Sequence, residues 1–207
     1  MSGSDAMFPL RPQIVARQRD EDEKPLKIVV TGPFSAGKTT FVRTISEGGF
    51  LGTDRSVTDA SRDIKPRTTV AMDFGRLEIG PDLNLQLVGT PGQQRFDVMW
   101  EILARGMLGF VLLVDPGAPN SLTEAAQILT AFQGFRDVPF VVAATHLDGR
   151  PAPYSSDLQM VRGALGLGAE VPVIGCDPRV KEDVKGAVVQ LLTEIMGAAT
   201  AGRSRAV

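Results

Sequence analysis

Apolar residues fall along this chain in short blocks, separated by polar stretches with helical spacing. LKIVV (26–30), LNLQLV (83–88), GFVLLVD (109–115), PFVVAAT (139–145) and VPVIG (171–175) have strand length and aliphatic character, and TTVAMDFGRLEI (68–79) makes a sixth strand. KTTFVRTISE (38–47), MWEILARGML (98–107), SLTEAAQILTAF (121–132), DLQMVRGAL (157–165) and KEDVKGAVVQLLTEIM (181–196) read as helices. Ser121 with Glu124 three residues on predicts a capping box. Strands alternating with helices predict an α/β fold with a six-stranded, mostly parallel sheet and helices on both faces.

One connection is too short for a crossover. Gly80, Pro81 and Asp82 link 68–79 to 83–88, which predicts a hairpin and therefore one antiparallel edge strand. Pairing Ile79 with Leu83 sets Leu77 opposite Leu85, Gly75 opposite Leu87 and Glu78 opposite Asn84. Apolar then meets apolar and polar meets polar, as a sheet with one buried face requires.

Composition places this pattern in one soluble domain. The chain has 207 residues, 43% hydrophobic and 22% charged, so it can bury a core. Residues 1–24, with Pro9, Pro12 and RQRDEDEK, read as a disordered tail, 25–197 as the domain, and 198–207 as a flexible C-terminal tail. A net charge of −2 leaves no basic footprint for nucleic acid. A single cysteine forms no internal disulfide, and the sequence shows no apolar run of membrane-spanning length, signal-peptide core or lipid acceptor. A cytoplasmic protein is expected, its membrane contact, if any, borrowed from a partner.

Chemistry enters with TGPFSAGKTT, which follows the first strand and matches G-x-x-x-x-G-K-[ST] at Gly32, Gly37, Lys38 and Thr39. Backbone N–H groups over Gly32, Phe34, Ser35, Ala36, Gly37, Lys38, Thr39 and Thr40 can curl round a phosphate, aided by the positive end of the following helix. Lys38 adds charge for the terminal phosphates and the Thr39 hydroxyl can ligate Mg²⁺. At the end of strand 139–145 stand Thr145, His146, Leu147 and Asp148. A carboxylate placed there, Asp148, can accept both the N1–H and the exocyclic amine of guanine, a donor pair adenine lacks, which favours guanine.

In this order, the phosphate loop, a Thr before a strand, GTPGQ and THLD resemble the Ras-like small GTPases over 25–197, with the small G domain of P-loop NTPases as the implied fold. The likeness is to the bacterial MglA-like branch, most of all to the GTPases of actinobacterial conservons. It implies GTP and GDP with Mg²⁺ as ligands, Thr69 as the switch threonine on the metal and γ-phosphate, Gly92 as the γ-phosphate sensor, and Gln93 as orienter of the attacking water. Arg67 is then either an internal arginine finger or a surface residue. GCDPR, with Cys176, Asp177 and Pro178, resembles the segment whose backbone meets guanine O6, but proline has no N–H to give. The resemblance also implies a roadblock-domain partner, near a sensor kinase.

Several positions depart from that pattern. His146 replaces the usual lysine and either stacks on the base or is solvated; Phe34 either hinders an arginine finger or points outward. Trp100 either faces the core or anchors a partner. The strand 83–88 ends at Gly89, where such folds commonly carry a magnesium-holding aspartate. The hairpin register pairs Gly89 with Asp73, so the acid is either relocated one strand over or Asp73 is an ordinary solvated or capping residue. The leading function is a slowly hydrolysing GTP switch stimulated by a partner, in bacterial signalling or polarity. A nucleotide-binding scaffold without hydrolysis and an ATP-using phosphotransferase are the alternatives.

Overall fold

The computed structural model describes residues 26–46, 51–52, 72–79, 84–91, 97–135, 137–148 and 154–204. Seven strands form one sheet in the order β2-β3-β4-β1-β5-β6-β7. They are β1 (Leu26–Thr31), β2 (Leu51–Gly52), β3 (Asp73–Glu78), β4 (Asn84–Gly89), β5 (Met107–Val114), β6 (Phe140–Ala144) and β7 (Val173–Gly175). The six expected strands are present, and the two-residue β2 adds a seventh, antiparallel to β3. Five helices complete the chain: α1 (Lys38–Ile45), α2 (Asp97–Ala104), α3 (Ser121–Phe135), α4 (Ser155–Ala164) and α5 (Lys181–Ser204).

The hairpin register is the one predicted. β3 and β4 pair antiparallel with Leu77 opposite Leu85, Gly75 opposite Leu87 and Asp73 opposite Gly89. β1 is central, parallel to β4 on one side and β5 on the other. The chain thus lays strands first to one side of β1 and then to the other. That reversal makes a crevice beyond the carboxyl end of β1, the place where open α/β sheets bind ligands.

Period-two alternation splits the core between the two faces of the sheet. Ile28, Val30, Val111 and Leu113 pack with Phe41, Val42, Ile45, Val184, Val188 and Leu191 of α1 and α5. Val29, Phe110, Leu112 and Val114 pack with Trp100, Ile128, Leu129, Phe132 and Val161 of α2, α3 and α4. Trp100 is therefore a core residue, 4% exposed and 6.1 Å from the ring of Phe132, and the alternative of an exposed anchor is set aside.

Three local expectations change. The helix expected over 98–107 stops at Ala104, because Gly106 turns the chain with φ +73 and Met107 opens β5. Helix α5 continues past residue 197 to Ser204. The Ser121–Glu124 capping box is replaced by another arrangement: Ser121 Oγ accepts the Asp115 N–H at 3.1 Å, and the Glu124 N–H goes to the Asn120 carbonyl at 2.9 Å. Ser121 thus ties the β5–α3 loop.

Candidate nucleotide site

The phosphate loop leaves β1 with alternating backbone handedness. Gly32, Ser35 and Gly37 have φ of 146, 61 and 96, all in the left-handed range, and such reversals turn successive N–H groups toward one side. At Gly32 a side chain is excluded as well, since a Cβ would stand 2.2 Å from the Leu113 carbonyl oxygen. Gly37 then begins α1, whose first turn carries no acid and has amides without intrahelical acceptors. An anion there meets the positive end of the helix. Phe34, 70% exposed, points outward and does not fill the loop.

Lys38 is buried against the loop. Its Nζ donates to the carbonyls of Gly32 at 2.9 Å and Pro33 at 2.6 Å. Burial lowers its pKa to about 8, with the negative charges of Asp73 and Glu124 opposing that fall. The ammonium is held where a phosphate tail would need a cation.

Beside it, the Thr39 hydroxyl donates to Asp73 Oδ2 at 2.6 Å. Donating its proton leaves the Thr39 oxygen's lone pairs for a cation. Asp73 itself is 8% exposed. A Cβ placed on Gly89 would stand 3.0 Å from Asp73 Cβ and 3.3 Å from its Oδ2. An acid at 89 and Asp73 would therefore compete for one space, with two like charges side by side. The donor set of hydroxyl and carboxylate, both hard oxygens, fits Mg²⁺.

The other end of the site is built on β6 and β7. Thr145, fully buried, donates from Oγ1 toward the carbonyls of Ala36 at 3.1 Å and Val114 at 3.2 Å, which fastens the end of β6 to the phosphate loop. His146 has a left-handed φ of 56 and its Nδ1 lies 3.5 Å from Asp115 Oδ2, half-exposed. Asp148 is exposed and its Oδ2 accepts from Arg179 Nη2 at 2.6 Å. A cleft of about 500 Å³ opens between these loops, lined by Gly37, Thr40, His146, Asp148, Cys176 and Arg179 among others. That volume suits a small ligand.

Within this cleft Cys176 is buried, and burial with Asp183 and Asp177 pushes its thiol up to about 12, so it stays protonated and inert. Pro178 packs on the phosphate loop, its Cγ 2.9 Å from where a Gly37 Cβ would be, and its carbonyl accepts the Thr44 hydroxyl at 2.7 Å. Hydrogen bonds from Arg179 hold the Asp177 carboxyl below its ordinary value, against the opposing effect of burial. The structure thus gathers Gly32, Phe34, Ser35, Ala36, Gly37, Lys38, Thr39, Thr40 and Asp73 at one end and Thr145, His146, Asp148, Cys176, Asp177 and Pro178 at the other. Arg67, Thr69, Gly92 and Gln93 lie outside the described residues. Sequence reasoning missed Arg179, whose partner Asp148 stands 31 positions away in the chain.

A family model described as "Conserved hypothetical ATP binding protein" matches residues 50–198, most of the chain. The chain belongs to that family. Asp73, Gly89, Asp148 and Arg179 lie within the span that matches this ATP-binding-protein family, while the phosphate loop precedes it. An ADP-ribosylation factor-like protein 8c of Arabidopsis thaliana is 25% identical over 130 residues, 61% of this chain and 63% of that protein. The GTP-binding protein Rab-3D of Rattus norvegicus is 28% identical over 145 residues, 68% of this chain and 62% of that protein. The Ras-related protein RAB1BV of Beta vulgaris is 30% identical over 100 residues, 48% and 42% respectively. The chain thus spans less than two thirds of the length of each of these three relatives. Fold and relatives together support a Ras-like, P-loop, nucleotide-binding protein.

Proposed function

We propose that the protein is a GTP-binding switch that hydrolyses GTP slowly and changes partner surfaces with the bound nucleotide. The observation that carries this reading is the Asp148 carboxylate at a cleft also lined by Gly37 of the phosphate loop. A purine whose phosphates lie in the loop meets that carboxylate, and guanine alone of the common purines brings it an N1–H and an amine. In this reading Lys38 balances charge on the terminal phosphates, and Gln93 orients water, as the Ras-like resemblance implies. Thr39, Asp73 and, by resemblance, Thr69 would hold Mg²⁺, which when bound neutralises charge on the phosphate oxygens. Cytoplasmic location, a roadblock-domain regulator and a nearby sensor kinase of the conservon type belong to the same proposal. Among the described residues no helix is long and apolar enough to cross a membrane.

The test is competition of a fluorescent GDP analogue by GTP, GDP and ATP, followed by single-turnover GTP decay with and without the partner. Displacement by guanine nucleotides alone, with slow decay, is expected. Displacement by ATP as well as GTP would sink it. The family's description, which names ATP, favours a second reading as an ATP-using phosphotransferase, and the ATP arm decides between them. Binding without any decay would leave the scaffold reading.

A further inference from the structure

Guanine presents three groups on one edge: two donors, N1–H and the 2-amine, and one acceptor, O6. Asp148 serves the donors in the reading above, on which this inference rests. O6 then needs a donor of its own, and among the described residues the segment 176–180, which faces Asp148 across the cleft, has no backbone N–H to offer. Cys176 N–H goes to the Ala144 carbonyl at 2.8 Å, and Asp177 N–H to Asp183 Oδ2 at 2.9 Å. Pro178 has none. Arg179 N–H goes to Asp177 Oδ1 at 2.9 Å, and Val180 N–H to the Asp177 carbonyl at 3.0 Å.

Within that segment one set of donors is left. The Arg179 guanidinium lines the cleft, its Nη2 set between Asp148 Oδ2 at 2.6 Å and Asp177 Oδ2 at 2.7 Å, and its Nε anchored to Asp177 Oδ1 at 2.9 Å. Its Nη1 donates to none of the described residues. Asp177 thus aims a planar, donor-only group at the space beside Asp148, and arginine to guanine O6 is a pairing that geometry favours. We propose that Arg179 reads the purine O6 and is, with Asp148, the specificity-determining pair of the site: a carboxylate for the donors and a guanidinium for the acceptor. An adenine amine would meet donor against donor at the same place.

The test compares GDP with the diphosphate of 2-aminopurine riboside, which keeps the 2-amine but lacks both O6 and the N1–H, so the native preference reports Asp148 and Arg179 together and the change on Arg179→Met isolates the O6 contact. Both are titrated against the full chain, native and Arg179→Met, which removes the donors and keeps the bulk. The native protein is expected to prefer GDP, and Arg179→Met to lose about 10–100-fold for GDP with little change for the 2-aminopurine nucleotide. Arg179→Lys, which keeps one donor group, should recover part of the preference. Equal losses for both ligands, an unchanged preference, or tighter GDP binding once the Asp148 tether is gone would each overturn the role of Arg179. Should the native protein itself show no preference, the guanine reading falls with it. The side chain is exposed, so melting temperature should stay within a few degrees in both variants.

Discussion

At the residue scale the proposal that Asp73 supplies the acid missing at Gly89 makes the sharpest prediction. Asp73 approaches Thr39 from β3 because Gly89 leaves the facing position empty, and the two positions share one face of the sheet. Asp73→Asn should weaken Mg²⁺-dependent GTP binding by about 10–100-fold while metal-free GDP binding stays nearly unchanged. Equal effects in the two titrations would return Asp73 to a structural role. Asp73→Gly combined with Gly89→Asp puts the carboxylate back on β4, and partial recovery relative to Asp73→Gly alone is expected. Lys38 makes a second prediction. Its lowered pKa, about 8, means that free protein loses the ammonium above that pH, while a bound phosphate tail favours keeping it. Metal-free GDP affinity should fall as pH rises from about 7 to about 9, by up to tenfold per unit above 8, and Lys38→Met should flatten that profile. For stability the sign is opposite. The unfolded chain holds this proton more tightly, so Lys38 makes the folded state gain stability with pH between about 8 and the ordinary lysine value of 10.5.

Elements were legible where one physical rule set them. The runs 68–79 and 83–88 are three residues apart in sequence and share a period-two pattern, so the register of β3 and β4 followed from residue pairing alone and put Asp73 against Gly89. The phosphate loop was legible because its function needs glycines at fixed offsets. β2 was not, since two residues carry no periodicity, and neither was the end of α2, where apolar spacing ran on through Gly106 into β5. Ser121 shows the same limit, because its acceptor role depends on Asp115 arriving from the loop before it. The Arg179 cluster joins residues 31 positions apart in sequence, a distance at which charge pairing leaves no local signal. Trp100 was ambiguous for a related reason: an amphipathic stripe does not say which neighbour covers it. In the fold it packs on Phe132 with its Nε1 lacking any hydrogen-bond partner among the described residues. Trp100→Ala should cost about 3–5 kcal/mol in urea unfolding. Trp100→Phe should cost well under half of that, because a ring remains against Phe132 and the unpaired donor is removed. A phenylalanine loss equal to the alanine loss would place the value of Trp100 in its indole nitrogen instead.

Across the whole molecule the two ends of the site are fastened to each other by side chains rather than left as independent loops. Thr145 joins the end of β6 to Ala36 of the phosphate loop, Pro178 sits on Gly37, and the Thr44 hydroxyl of α1 holds the Pro178 carbonyl at 2.7 Å. The loop that carries Asp177 and Arg179 is thus indexed to α1, the helix that follows the phosphate loop. Loosening it should let the base end open without disturbing the phosphate end, which shows in a rate before it shows in stability. Thr44→Val keeps the shape and removes the donor, leaving a partly buried carbonyl without it. The expected cost in stability is about 1 kcal/mol. Release of a fluorescent GDP analogue should quicken several-fold by stopped flow, with a smaller change in its association rate. Thr193→Val is the control, since among the described residues that hydroxyl bonds along its own helix, to the Val189 carbonyl at 2.9 Å, and should leave release unchanged. If Thr44→Val destabilises the fold yet releases the nucleotide at the native rate, the link between α1 and the base loop is structural and carries no control over the ligand.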